Sequence, residues 1–268
     1  ELRLVGSEMC IRDRAKTNLK NIQLIATDMD GTLTKNGKFT SHLFLTLEKL
    51  AAAKIQVLVI TGRSAGWVQA IKNYFPILGA IAENGGLFYP IHSEAPQFLT
   101  SIPNMALHRQ NLANVFQYLK SQFPQIQPSV DNQFRLTDWT FDIQDLNLSE
   151  LTKMAEICQT KDYGFTYSTV QCHIKPLQQD KASGLCQVIS EHFPNLTPEK
   201  IVTVGDSPND ESLFEESKFP LSVGVANILE YANKINHQPV YVTRKKEAEG
   251  FCELAELLLS TDLSLIHI

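Results

Sequence analysis

The chain has 268 residues, 43% hydrophobic and 20% charged, which is enough for one large domain or two smaller ones around a sizeable core. A formal net charge of −5 and a pI near 5.8, with Lys and Arg scattered along the chain, argue against a nucleic-acid-binding surface. No apolar run reaches the roughly eighteen residues needed to cross a bilayer, and no signal peptide is visible, so the expectation is a cytoplasmic protein with no membrane partner.

The two ends read differently from the rest. Glu8 to Asp13 can be encoded by GAGATGTGTATAAGAGAC, and the reverse complement of a stretch inside it translates as Ser264 to Ile268. That inverted repeat resembles the adapter end of transposon-based sequencing libraries, so residues 5–14 and 264–268 are expected to be translated adapter. Setting Cys10 aside with that segment, Cys158, Cys172, Cys186 and Cys252 sit singly in apolar stretches without C-x-x-C spacing, and read as buried free thiols.

In chain order, Gln23 to Thr27 is a short apolar run that stops at Asp28-Met29-Asp30-Gly31-Thr32, which predicts a buried strand feeding a loop. Leu43, Leu47, Leu50 and Ala51 recur at helical spacing, Val57 to Ile60 predicts a second buried strand ending at Thr61-Gly62-Arg63, and a helix near Trp67 to Tyr74 precedes a strand at Ala80 to Ala82. This alternation predicts a parallel sheet covered on both faces, with ligands beyond the carboxyl ends of its strands. After Glu83-Asn84-Gly85-Gly86 the rhythm changes. An amphipathic helix (Leu112, Val115, Phe116, Leu119, Phe123) leads to an alternating strand over Phe134 to Ile143, a second helix (Leu151, Met154, Ala155, Cys158), and strands at Gly164 to Ser168 and Gln171 to Lys175. Residues 87–175 therefore read as an α+β domain inserted between two halves of the first, 20–86 and 176–260. From Lys181 the earlier alternation resumes, with strands at Ile201 to Val204, Leu221 to Val225 and Val240 to Thr243, a helix after Asn209, and a closing helix to about Leu259.

Asp28 and Asp30 are separated by one residue on a loop that Gly31 lets turn tightly, so both carboxylates can face one centre. One can attack phosphorus and form an acyl-phosphate, while the other protonates the leaving group and later activates water. Taken alone, the segment could be a loop with an Asx-turn, the lesser of the two readings. Thr61 adds a hydroxyl and neighbouring amides, including that of Gly62; Lys181 adds a fixed positive charge; Gly205-Asp206-Ser207-Pro208-Asn209-Asp210 adds two more acids after another buried strand. Alone, Lys181 could be a solvated helix-start lysine and Asp206 a helix N-cap. Four acids around a phosphate dianion would repel it, and a hard divalent cation, Mg²⁺, resolves that conflict.

These four segments, DMDGT at 28–32, Thr61, Lys181 and GDSPND at 205–210, resemble the signature motifs of the haloacid dehalogenase (HAD) superfamily. The position of the insertion is similar to that in the Cof-like group and in the sucrose-phosphate and mannosyl-3-phosphoglycerate phosphatases. The resemblance implies an α/β fold, a Rossmann-like parallel core with an inserted α+β cap, in a Mg²⁺-dependent phosphatase of a small phosphorylated metabolite, a sugar phosphate or phosphoglycerate-type ester, in a protein expected to be monomeric or a small homo-oligomer. It makes Asp28 the nucleophile, Asp30 the acid/base, Thr61, Gly62 and Lys181 the phosphate-binding groups, and Asp28, Asp30 (through its carbonyl), Asp206 and Asp210 the metal-binding set. Asn209 and Ser207 become orienting residues, though both could equally cap the following helix. Arg63, Asn84, Arg135, Ser168, His173 and Lys175, with Trp139, become candidate substrate contacts in the cap or at its rim. A phosphomutase using the same Asp28, and a non-enzymatic phosphosugar-binding module, remain as alternatives.

Overall fold

The computed structural model describes residues 19–93 and 95–262; the suspected adapter segments lie outside them. The buried run that precedes Asp28 forms strand β1 (Leu24–Thr27), followed by α1 (Ser41–Ala52), β2 (Gln56–Ile60), α2 (Ala65–Tyr74) and β3 (Gly79–Ala82). After the insertion come α5 (Lys181–His192), β9 (Ile201–Gly205), β10 (Ser222–Gly224), β11 (Tyr241–Val242) and α6 (Glu247–Asp262). Side-chain alternation shows why helices cover both faces of this sheet. Ile25, Val57, Val59, Val202 and Val204 pack on one side with Leu43 and Leu47 of α1, Val68 and Ile71 of α2, and Phe251 and Leu254 of α6. Leu24, Ala26, Leu58, Ile60 and Ile201 point the other way, onto Ala182, Leu185 and Val188 of α5 and onto Leu213 and Phe214.

The strand order of the large sheet is β11-β10-β9-β1-β2-β3-β4-β5, where β4 is Leu87–Pro90 and β5 is Gln97–Phe98. Pairing is parallel from β11 to β3 and antiparallel from β3 to β5. Residues 87–98, expected in the insertion, thus complete the large sheet: the turn at Glu83 to Gly86 is tight enough to reverse the chain and set Leu87 opposite Ala82.

The insertion proper contains α3 (Met105–Gln122), β6 (Trp139–Asp142), α4 (Leu148–Thr160), β7 (Tyr163–Tyr167) and β8 (Gln171–Pro176), with its three strands in the antiparallel order β6-β8-β7. It has a core of its own, built from Leu112, Phe116, Leu119, Phe141, Met154, Cys172 and Ile174. The strand expected over Phe134 to Ile143 is shorter, because Val130–Phe134 forms a 3-10 turn and Arg135 to Asp138 dock on the first domain through the groups described below. The helix expected after Asn209 is a 3-10 helix, Pro208–Phe214. Cys158, Cys172 and Cys252 are buried free thiols, but Cys186 is exposed: the buried face of α5 runs through Lys181, Ala182, Gly184, Leu185 and Val188, and position 186 falls outside that stripe. Among the described residues no helix is long and apolar enough to cross a membrane.

Candidate active site

Three adjacent parallel strands, β9, β1 and β2, deliver the chemistry at their carboxyl ends. Thr27 lies opposite Val59 on one side and Val204 on the other, so Asp28, Thr61 and Asp206 emerge at the same edge. The Asp28 amide donates to the Val204 carbonyl at 2.8 Å, which fixes where the loop leaves the sheet. Gly31 has a φ of +86°, and a Cβ there would stand 2.4 Å from Asp206 Oδ2. The glycine is what allows the two acidic loops to touch.

Lys181, the first residue of α5, is fully buried and donates to Asp28 Oδ1 and Asp210 Oδ1, both at 2.5 Å. Carboxylate oxygens of Asp28, Asp206 and Asp210 lie within 4.8 Å of one another, three acids facing one ammonium. Burial raises the Asp28 carboxyl to about 7 against the opposing pull of Lys181. Burial, and then the charges of Asp28 and Asp210, also push Asp206 well above the usual carboxylate range. Burial works against the Lys181 charge, but Asp210 and Asp28 outweigh it and hold the ammonium above the usual lysine range. Asp28 Oδ2 is buried with no hydrogen-bond partner among the described residues. Crowded acids, hard oxygen donors and an orphaned carboxylate oxygen fit a divalent cation such as Mg²⁺.

The other predicted residues divide into two groups. Asp30 turns its carboxylate away from the acidic cluster and into a two-point pair with Arg63, whose Nε and Nη2 donate at 2.8 and 2.7 Å. Thr61 is buried, and its hydroxyl accepts from the Arg63 amide at 3.1 Å. Asp210 Oδ2 accepts from the amides of Asp206 and Ser207, so this acid shapes its own loop as well as holding Lys181. Ser207 donates to Asn209 Oδ1 at 2.7 Å, and Asn209 donates to Asn84 Oδ1 at 3.1 Å, a chain that aims the Asn84 amide.

Arg135, Lys175, Ser168 and Trp139 each find partners within the protein. Arg135 is buried, with Nη1 and Nη2 donating to Asp138, Asp131, Gln171 and the Gly62 carbonyl and Nε without a partner among the described residues. Lys175 donates to the Gln179 carbonyl, Ser168 accepts from the amides of Val170 and Gln171 in the β7–β8 turn, and Trp139 packs on Phe116 beneath Arg109. Alternation put Trp139 and Lys175 on strands, whereas Arg135 and Ser168 lie outside them, and it carried no information about which partner each head group finds. His173 is buried, with Nδ1 at 2.8 Å from Asp138 Oδ2 and its ring against Gly62.

Four contributors were not singled out from the sequence. Asn227 donates to Asp206 Oδ2 at 2.7 Å and to the Gly31 carbonyl at 3.1 Å, bracing the two acidic loops, and Thr32 donates to Asp206 Oδ1 at 3.2 Å. Glu83 is fully buried and accepts from the amides of Ala65, Leu136, Thr137 and Asp138 and from the Thr137 hydroxyl. Three successive amides closing on one anion make a nest that ties the insertion to the end of β3. Asn227 carried a signal, being polar just beyond a strand end, and so did Glu83; Asp138 carried none, because its partners come from β8 and from its own loop.

The sequence model of the family described as Sucrose-6F-phosphate phosphohydrolase matches residues 21–256. Phosphoglycolate phosphatase of Methanothrix thermoacetophila is 27% identical over 241 residues, covering 88% of this chain and 96% of that protein. Among solved structures, a haloacid dehalogenase-like hydrolase from Bacteroides thetaiotaomicron superposes with a TM-score of 0.65 at 18% identity, over 88% of this chain and 98% of the other. The C-terminal domain of C. albicans trehalose-6-phosphate phosphatase gives 0.68 at 17%, over 93% and 96%. With a match spanning nearly all the described residues and the acidic strand ends in place, the chain belongs to the sucrose-6F-phosphate phosphohydrolase family of HAD-fold hydrolases and is a phosphatase.

Proposed function

We propose that this chain hydrolyses a small phosphomonoester through an aspartyl-phosphate on Asp28, with Mg²⁺ as cofactor and the insertion as a cap that faces the alcohol portion. The observation that carries this reading is the state of the Asp28 carboxylate: Oδ1 is clamped by Lys181 while Oδ2 is buried without a partner among the described residues, a nucleophile with one oxygen positioned and the other left for a ligand. Asp28, Asp206 and Asp210 would hold Mg²⁺, with the Asp30 carbonyl assigned to the same set, and the ion would supply positive charge against the phosphoryl oxygens.

In the first step an Asp28 oxygen forms a bond to phosphorus, the ester P–O bond breaks, and Asp30 gives a proton to the departing alcohol. In the second, Asp30 takes a proton from water, the water oxygen bonds to phosphorus, and the bond to Asp28 breaks to release phosphate. Lys181 and the Thr61–Gly62 segment hold the phosphoryl oxygens throughout. Asp30 has to loosen its pair with Arg63 to exchange a proton, so Arg63 is well placed to answer an arriving anion. The names of the relatives favour small substrates of the phosphoglycolate or sugar-phosphate kind. The test is phosphate release from phosphoglycolate, hexose phosphates and p-nitrophenyl phosphate, with and without Mg²⁺, plus chemical trapping of an acyl-phosphate. Isomerised ester without free phosphate would instead indicate a mutase, and activity that survives full chelation would remove the metal from the scheme.

A further inference from the structure

Beside the phosphate-binding loop lies a polar group that the hydrolytic steps leave unused. His173 Nδ1 is 2.8 Å from Asp138 Oδ2, and Asp138 is fully buried and also paired with Arg135 at 2.9 Å. Burial works to raise the Asp138 carboxyl, but Arg135 and His173 outweigh it and hold the acid below the usual range. A carboxylate only accepts hydrogen bonds, so Nδ1 carries the ring proton and the neutral ring presents a lone pair at Nε2.

That edge of the ring sits on Gly62: a Cβ at position 62 would lie 3.0 Å from His173 Cε1, 3.1 Å from Nε2 and 3.2 Å from Asn84 Nδ2. Two nitrogen atoms, one from the insertion and one from the β3–β4 turn, therefore converge on the same edge of the phosphate loop. Asn84 Nδ2 is buried and has no hydrogen-bond partner among the described residues, although Asn84 Oδ1 is held by Asn209. Asn84 also keeps a left-handed backbone, φ +52°, next to Glu83 at +53°. A buried donor without a partner among the described residues is costly and points to a ligand that supplies the acceptor.

We propose that His173 and Asn84 are specificity residues that read one hydroxyl of the substrate's alcohol portion: the hydroxyl donates to His173 Nε2 and accepts from Asn84 Nδ2. Asp138 is the positioning residue that fixes the ring. This rests on the phosphatase reading above. A hydroxyl satisfies both nitrogens at once, whereas a carboxylate could accept from Asn84 but would face the Nε2 lone pair. Burial, with the charges of Arg135 and Lys181, keeps the ring from protonating to accommodate it, despite the opposing pull of Asp138.

The experiment compares kcat/KM on esters that differ by a hydroxyl: glycerol 3-phosphate against propyl phosphate, and glucose 6-phosphate against its monodeoxy analogues. The wild type should favour the hydroxyl-bearing member of at least one pair by roughly 10-fold or more, the least expected when a missing hydroxyl leaves polar groups of the protein unpaired. His173→Ala and Asn84→Ala should bring that ratio close to one, and His173→Gln, which keeps an acceptor, should restore part of it. Thermal melting of each variant confirms that it folds, and the glutamine variant keeps the test open if the alanine variant does not. A wild type indifferent to every hydroxyl, or a folded His173→Ala protein with the full ratio, overturns the proposal while leaving the phosphatase reading intact. A wild type inactive on every ester, p-nitrophenyl phosphate included, removes that reading and this one with it.

Discussion

Around Asp28, three carboxylates cluster beside a single ammonium and one carboxylate oxygen has no partner among the described residues; around Glu83 and Asp138, equally buried acids have every oxygen engaged. Both clusters sit where the large sheet meets the rest of the molecule, and both remove charge from water, which is expensive unless it is paired. The second cluster engages every acid oxygen inside the protein and offsets that cost at Asp138, which Arg135 and His173 hold below the usual range, although burial and the Asp138 charge still raise Glu83. The first leaves one oxygen without a partner among the described residues, and both Asp28 and Asp206 resist ionisation. The contrast separates two uses of buried charge: saturated, it fastens the insertion to the sheet; left short of cations, it waits for a ligand.

Substituting the nucleophile should break the comparison most sharply. Asp28→Asn is expected to lower turnover by on the order of 10⁴- to 10⁶-fold and to abolish acyl-phosphate trapping. Its metal-free melting temperature should nevertheless rise at pH 8, because a neutral amide replaces an acid that the fold holds ionised at a cost. Asp30→Asn should lose roughly 10²- to 10⁴-fold in turnover, measured under saturating substrate.

In the saturated cluster the signs reverse. Glu83→Gln puts an NH₂ group among amides that need an acceptor, and should cost about 3 kcal/mol in urea unfolding, with faster amide exchange at Leu136 to Asp138. A variant as stable as the wild type would show that the nest is not what holds the insertion.

Proton linkage gives a smaller effect with a definite direction. The folded-state Asp28 carboxyl, at about 7, lies above its unfolded value, so the folded chain binds the extra proton; the stability this contributes is full in acid and is lost as pH rises from the ordinary carboxylate range through about 7. Asp206 acts in the same sense. Mg²⁺ competes with those protons, so the rise in melting temperature on adding Mg²⁺ should grow between pH 5.5 and 8. An increase that is flat or reversed across that window would argue against carboxylate ligation. The smallest expected effect is at the thiols: Cys186→Ser should stay within about 0.5 kcal/mol of the wild type, whereas Cys172→Ser, which buries a hydroxyl in the core of the insertion, should cost about 1 to 3 kcal/mol.

Much of this molecule could be read from local pattern. Apolar runs that stop at Asp28, Thr61 and Asp206 marked three strand ends, and helical spacing marked α1, α3 and α4. Pattern was weaker where an element owes its form to distant partners. Phe134 to Asp138 alternates well enough to look like strand, yet its amides are drawn to Glu83 and its arginine to the Gly62 carbonyl. The short strands β4 and β5 lay behind a change of rhythm that read as the start of the insertion.

The parallel core, the order of its strand ends, and the acids and lysine near them were legible in local pattern, because a period-two apolar run and a tight acidic turn are properties of neighbouring residues. How the charges are shared follows from the packed fold. Lys181 lies 153 residues from Asp28, and the pairs of Arg63 with Asp30, Arg135 with Gly62 and Asn84 with Asn209 likewise join distant segments. Which donor meets which acceptor follows from packing several elements at once, and no local period encodes it. The same holds for buried atoms left without partners among the described residues, Asp28 Oδ2, Asn84 Nδ2, Arg135 Nε and Trp139 Nε1, since a missing partner becomes visible only when every neighbour has been placed.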